Sequence, residues 1–130
     1  MLRRNLLLGV AGVAVLGVTG CATHPVSVQQ ATELPAAQLR TCIKRAAHRR
    51  GWRVVTDEPG KMRIKYVKGP HVLVAEVTYD NEGYMIEAVK EGSTLFNKDG
   101  TAHRKVNSWT ANLTVTIREE ENKILLRQTN

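Results

Sequence analysis

A chain of 130 residues can form one domain with a modest hydrophobic core, and it is too short for two once an N-terminal targeting segment is set aside. It carries 19 Lys and Arg residues against 12 Asp and Glu residues, a net charge of +7, of which +5 remains without residues 1–20. Two cysteines cannot supply a disulfide framework, which excludes the small disulfide-built scaffolds.

The first 20 residues have the pattern of a secretory signal. Arg3 and Arg4 form a positive start, and residues 6–18 form an uncharged run. That run fits the roughly 7–15 residues of a signal-peptide core and falls short of the about 20 that a transmembrane helix needs. Its end, Val18-Thr19-Gly20-Cys21, resembles the lipobox of bacterial lipoproteins, in which a small pair precedes a cysteine that is acylated on sulfur. The resemblance implies a signal peptide over residues 1–20 and a membrane anchor of palmitate-type chains on Cys21. An uncleaved anchor, or an ordinary signal peptide with a chance cysteine, is the alternative.

The predicted export affects which binding partners the positive net charge suggests. An exported protein meets anionic lipid headgroups and envelope polymers, and basic surfaces are attracted to both. We therefore expect no nucleic-acid partner. A basic surface that is merely solvated explains the charge equally well.

The predicted domain starts after a tether. Residues 21–33 have no hydrophobic period and are predicted to be a flexible linker that follows the lipid, so that the folded domain covers residues 34–130. A helix then begins near Pro35, because Leu39, Cys42, Ile43 and Ala46 recur on one face, and Gly51 ends it. Its last turns carry a basic cluster, which the negative end of the helix dipole favours and which a binding role would also explain: Lys44, Arg45, His48, Arg49 and Arg50.

Four strands are predicted next, over residues 52–56, 61–68, 71–79 and 84–90, with turns between them. A hairpin closed at Gly69-Pro70 sets Tyr66 opposite Leu73 and Ile64 opposite Ala75, and the next hairpin sets Val77 opposite Ile86. In this register one face is entirely apolar or aromatic, so helices must cover it. That face contains Met62, Ile64, Tyr66, Leu73, Ala75, Val77, Tyr79, Tyr84, Ile86 and Ala88.

The other face of the predicted sheet mixes apolar and charged residues. We expect it to be exposed in a monomer and to be a possible interaction surface for an envelope protein or an anionic polymer. It contains Val67, Val72, Val74, Met85 and Val89 together with Arg63 and Lys65, and Arg63 lies opposite Glu76.

The last part of the chain returns to a helical period. Residues 91–100 are irregular, and Leu95 and Phe96 are expected to close the edge of the core. From Thr101 an apolar stripe predicts a C-terminal helix, although β-branched residues at 113–117 leave a strand there as the alternative. The predicted fold is therefore α+β: a helix, a four-stranded antiparallel meander and a C-terminal helix, with both helices on one sheet face.

The chemistry-bearing residues form no recognisable catalytic or metal-binding pattern. Cys42 lies on the apolar face of the first predicted helix, so we expect it to be buried. The histidines are scattered at positions 24, 48, 71 and 103. His103 and Asn107 are expected to help start the last helix, and Trp52 and Trp109 to anchor the core. No metal, cofactor or catalytic residue is predicted.

The combination of motifs resembles the small proteobacterial lipoproteins of uncharacterised function. It consists of the lipobox, a helix that ends in Arg50-Gly51-Trp52, a meander, and His103-x-x-x-Asn107-x-Trp109-x-x-x-Leu113. The resemblance implies lipidation, an envelope location and an α+β domain, and no activity. Ala22 after the lipidated cysteine favours, by the same resemblance, the periplasmic side of the outer membrane.

We therefore expect a non-enzymatic envelope lipoprotein that serves as a structural or interaction module. The alternatives are a binding module for an anionic envelope polymer or partner protein and, with less support, an enzyme that acts on envelope material. The sequence leaves the oligomeric state open.

Overall fold

The computed structural model describes residues 27–129, which form five strands and two helices. In chain order these are β1 (Ser27–Ala31), α1 (Ala36–Arg49), β2 (Arg53–Glu58), β3 (Lys61–Lys68), β4 (His71–Tyr79), β5 (Gly83–Val89) and α2 (Arg104–Thr129). The strands form one antiparallel sheet in the order β1-β5-β4-β3-β2. Both helices contribute to one core against one face of this sheet, so the α+β class with helices on one side is confirmed.

The register of the central strands is the predicted one. Tyr66 pairs with Leu73 and Ile64 with Ala75 across the hairpin that turns at Gly69-Pro70. In the next hairpin Val77 pairs with Ile86, as the alternation of apolar residues requires. The inner face is fully buried at its centre, at Met62, Ile64, Leu73, Ala75, Val77 and Ile86.

Helix α1 ends through backbone hydrogen bonds that depend on a glycine. Gly51 adopts a positive φ of 84°, a conformation that costs glycine little. The N–H of Trp52 then donates to the carbonyl of Ala47 at 2.8 Å, and that of Gly51 to His48 at 3.1 Å. This is a Schellman motif, and it turns the chain so that Trp52 enters the core and β2 can start.

A fifth strand corrects the predicted four-stranded sheet. β1 lies within residues 21–33, which were predicted to be a tether, and it pairs with β5, where Val28 faces Ile86 and packs on the core. Leu34 is also buried. The close approach of the two strands requires Gly83, because a Cβ there would lie 2.2 Å from the Gln30 carbonyl oxygen. The strand gave no alternation signal because only Val28 among its inward residues is apolar. The tether prediction is therefore wrong from Ser27 onward, while residues 21–26 lie outside the described part of the chain.

The ambiguous stretch at residues 113–117 is helical, as part of α2. Leu113 and Ile117 are fully buried on the core side. The neighbouring threonines tolerate the helix because their hydroxyls donate to carbonyls four residues earlier, Thr114 to Thr110 at 2.9 Å and Thr116 to Asn112 at 3.0 Å. Tertiary burial of the helical stripe thus prevails over the β propensity of this stretch.

We predict that Val77→Asp costs about 3 kcal/mol or more of folding free energy, or prevents folding, because it places an unpaired carboxylate in the core. Val67→Asp is the matched control, since Val67 lies on the opposite sheet face and is 56% exposed. Urea unfolding followed by circular dichroism compares the two variants. Equal destabilisation by both changes would contradict the assignment of the two faces.

Candidate interaction surfaces

The proposed lipidation site, Cys21, lies outside the described residues. The described part of the chain begins at Ser27 in β1, and residues 22–26 lie between it and Cys21 in the sequence. Among residues 27–129, neither helix combines the length and the apolar character needed to cross a bilayer.

The predicted interaction surface is brought together on the outer sheet face. Val67 pairs with Val72, and Lys65 with Val74, in adjacent strands, while Arg63 donates to Glu76 at 3.1 Å across the same pair of strands. Val67 is exposed, and Val72, Met85 and Val89 are half-buried. The face is therefore continuous, but most of its apolar side chains are partly covered.

Val74 does not belong to an exposed patch, contrary to the prediction. It is only 7% exposed. The segment after β5 crosses over it, so that a Cβ on Gly92 would lie 3.2 Å from its Cγ2 atom. The backbone of β4 is capped by the same segment, because the N–H of Val74 donates to Ser93 Oγ at 2.8 Å and that of Val72 to Thr94 Oγ1 at 2.9 Å. Sequence periodicity could not reveal this cover, since residues 91–95 have none.

Three of the five residues in the basic cluster at the end of α1 make structural contacts, two through ion pairs and one through a hydrogen bond. Lys44 lies 3.1 Å from Asp57 on β2, and Arg49 bridges to both Glu119 and Glu120 on α2 at 3.0 Å. Arg50 Nε donates to Thr116 Oγ1 at 2.8 Å. These contacts join α1 to β2 and α2, which supports the structural explanation of the cluster over a binding role.

The pKa of Glu120 reflects its contact with this cluster in the folded protein. Burial disfavours its charged form, but hydrogen bonds from Lys123 and Arg49 outweigh that penalty and hold the pKa of the carboxyl below its usual value. For the next residue, Glu121, the effect of burial on the pKa exceeds the effect of hydrogen bonding. Burial raises its pKa, although Thr32 donates a 2.5 Å hydrogen bond to it.

Two adjoining open depressions lie beside this cluster. One, of about 370 Å³, is bordered by Lys44, Arg45, His48, Arg49, Glu120 and Lys123. The other, of about 560 Å³, is bordered by Lys44, His48, Gly51, Trp52, Arg53 and Val54. Their chemistry suits an anionic group, although the ion pairs described above already use Lys44 and Arg49.

The aromatic residues form a structural cluster. The Tyr66 ring lies between Trp52 and Trp109, with ring centroids 5.3 and 4.7 Å away. Trp52 is 5% exposed and Trp109 packs on the core, so the prediction that both are core anchors is confirmed. His103 precedes α2, and its Nδ1 accepts a hydrogen bond from the N–H of Lys105 at 3.0 Å. It caps the helix, as its position predicted.

Seven cations lie together at one end of the sheet, and the sequence analysis did not recognise them as a group, although it placed Lys65 on the outer sheet face. We call this end of the sheet the hairpin end, because it carries the β3–β4 turn at residues 69–70. The start of β2, the segment after β5 and the start of α2 surround that turn, as shown by the Thr94 N–H to Val72 carbonyl bond of 2.9 Å and the His71–His103 ring distance of 6.2 Å. The hairpin-end cations are Arg53, Lys65, Lys68, Lys90, Lys98, Arg104 and Lys105.

These cations were missed because they are spread over 53 positions of sequence, from residue 53 to residue 105, and form no run. Only the pairing of strands and the return of the chain through residues 90–103 bring them to one end. A count of charges on the predicted turns and strand ends, made separately for the two ends of the meander, would have found most of them.

Within residues 27–129, no group of three or more His, Cys, Asp or Glu side chains is placed to hold a metal ion. Cys42 is a free thiol, fully buried in α1, and burial raises its pKa to about 11. The predicted burial of Cys42 is confirmed. Comparison with known proteins identifies no relative: no protein-family model and no curated protein matches the chain.

We predict that Arg49→Ala lowers Tm by several degrees, because it removes two ion pairs and leaves the buried Glu120 with Lys123 alone. Arg45→Ala is the control on the same helix, since Arg45 is exposed and is expected to change Tm by less than about 2 °C. The difference between the variants is present at neutral pH. This difference in Tm should decrease as the pH falls through the lowered pKa of Glu120, because a protonated Glu120 forms no ion pair in either variant. Equal Tm values for both variants at pH 7 would contradict the structural role of the cluster.

Cys42 provides an independent test of the α1 packing. We expect a maleimide to label it slowly in the native protein and rapidly in urea, since the native thiol is buried and its thiolate is rare below a pKa of about 11. Mass spectrometry of timed samples measures both rates. Native labelling as fast as labelling in urea would show that this face of α1 is open.

Proposed function

We propose that this protein is a lipid-anchored lipoprotein of the bacterial envelope, in which acylated Cys21 holds a non-enzymatic interaction domain at the membrane. The observation that carries the proposal is the motif Val18-Thr19-Gly20-Cys21 at the end of an uncharged run, directly before a folded domain. Lipidation needs small residues before the cysteine and a thiol as the acceptor of the lipid. The motif supplies both.

The arrangement of the domain supports a role in binding rather than in catalysis. Its residues with the chemistry of a nucleophile or base serve other purposes: Cys42 is buried as a thiol and His103 caps α2. The ion pairs of Arg49 and Lys44 hold elements together. The outer sheet face and the hairpin end are then the surfaces that offer side chains to a partner.

The location we propose is the periplasmic side of the outer membrane. Ala22 follows the lipidated cysteine, and it lacks the aspartate that retains the lipoproteins of the resembled class in the inner membrane. The second candidate function is a binding module for an anionic envelope polymer or a partner protein. It is favoured by the exposed cations of the hairpin end.

We predict that Cys21→Ser abolishes lipidation and releases the protein from membranes, because stable anchoring needs at least two acyl chains and serine cannot carry the thioether. Cys42→Ala is the matched control, since it removes the other cysteine and should leave the protein lipidated and membrane-bound. Mass spectrometry and fractionation of envelopes measure both properties. Retention of the Cys21→Ser protein in the membrane would contradict the proposed anchor.

A further inference from the structure

The direction of β1 shows toward which end of the sheet its N-terminal end points. Ser27 pairs with Glu87, and Ala31 pairs with Gly83 at the start of β5. The N-terminal end of β1, at Ser27, therefore points toward the side of the sheet where β5 ends. In the same sheet β4 begins and β3 ends on that side, which is the hairpin end.

The reach of the chain is short compared with the domain. Six Cα–Cα steps join Cys21 to Ser27, and even a fully extended chain covers only about 20 Å in that distance. Ser27 lies level with Glu87, and Glu87 pairs with Glu76 on β4. From Glu76 to Gly69 the strand advances about 23 Å. From Ser27, Cys21 can thus reach no farther than about the tip of the β3–β4 turn. A lipid anchor on Cys21 therefore keeps the domain close to the bilayer.

The two ends of the sheet differ in charge. The hairpin end has the seven cations defined above and two exposed carboxylates, Glu91 and Asp99, of which Asp99 accepts hydrogen bonds from Thr101. The opposite end carries the β2–β3 and β4–β5 turns. Its exposed charges include four carboxylates, Glu33, Glu58, Asp80 and Glu82, and three cations, Lys61, Arg40 and Arg118, of which Arg40 pairs with Asp57 on β2 and Arg118 donates to Gln30 on β1.

The hairpin-end cations are also available. Among the described residues, none of the seven forms a salt bridge, in contrast to Arg40, Lys44, Arg49, Arg63 and Lys123. Six of the seven are exposed, and Lys105 is half-buried. Lys90 attracts the nearby Asp99, whereas cations without a nearby carboxylate keep their full attraction for an external anionic surface within a Debye length, about 10 Å at 0.1 M salt.

We propose that the hairpin end docks on the anionic headgroups of the membrane that holds the lipid anchor. This inference rests on the proposed function, since it takes Cys21 as the point of attachment. The short reach of the chain keeps the domain near the headgroups, the N-terminal end of β1 points toward the hairpin end, and the cations there bind the headgroups. The carboxylate-rich end then points away from the bilayer, and the outer sheet face stands beside the membrane, open to a partner.

The test uses the two ends of one strand. Lys68→Cys and Lys61→Cys place single labelling sites at the last and first residues of β3, both exposed, on opposite ends of the sheet. The buried Cys42 does not compete for the label, and Cys21 is occupied by lipid. Each full-length lipidated variant carries an environment-sensitive fluorophore and is reconstituted in phosphatidylcholine vesicles with or without phosphatidylglycerol.

With phosphatidylglycerol, the label at position 68 should be quenched several-fold more by a headgroup-borne quencher than the label at position 61. The difference should decrease in high salt and in vesicles of phosphatidylcholine alone. Adding Arg53→Gln and Arg104→Gln to Lys68→Cys should weaken docking by roughly fivefold for each cation removed. Adding Lys61→Gln to Lys68→Cys is the control and should change nothing.

The outcomes separate the two proposals. An anchored protein whose two labels are quenched equally, or whose quenching ignores the charge of the lipid, overturns the docking inference and leaves the anchor intact. A preference of the hairpin end for a soluble anionic polymer over the vesicles also overturns it. A protein that carries no lipid and does not enter vesicles overturns the proposed function, and with it the docking geometry.

Discussion

The burial of a single face of the β3–β4–β5 meander is the constraint on which the rest of this structure depends. Because side chains alternate along a strand, the register that pairs Ile64 with Ala75 and Val77 with Ile86 sends most of the large apolar residues of the central strands to the same side. A face of that kind is stable only under a cover. Helices α1 and α2 supply it, and their positions follow from it.

The placement of charge is a consequence of this cover. Where α1 ends over the sheet it meets β2 and α2, and its cations find Asp57, Glu119 and Glu120 there. These ion pairs engage Lys44 and Arg49 of the basic cluster at the end of α1, which is the most obvious basic cluster of the sequence. A larger group of cations without salt bridges lies at the hairpin end, where strands, turn and helix start converge with only two exposed carboxylates, Glu91 and Asp99. Cations without salt bridges, rather than closely spaced cations, therefore indicate the surface that is able to bind an anion.

The edge strand β1 connects the fold with the proposed anchoring. By joining β5 it extends the sheet and places the first folded residue at Ser27, close to Cys21 in sequence. If the domain began at residue 34, a longer linker would join it to Cys21 and would allow it to rotate relative to the membrane. Because β1 adds five residues to the sheet ahead of α1, the orientation of the domain toward a membrane depends on chain geometry as well as on charge.

The amino-acid sequence by itself determined the helices, the strands of the meander and their register, because period, turn residues and burial all agree there. It also determined the burial of Cys42 and the capping role of His103, since both follow from position on a helix. Only the tertiary structure decided three other features. β1 has a single inward apolar residue and is held by its pairing with β5, and Val74 is covered by residues 91–95, which have no period. The hairpin-end cations come from distant segments, and their proximity exists only once the sheet has formed, because no local pattern encodes a contact between residues so far apart in sequence.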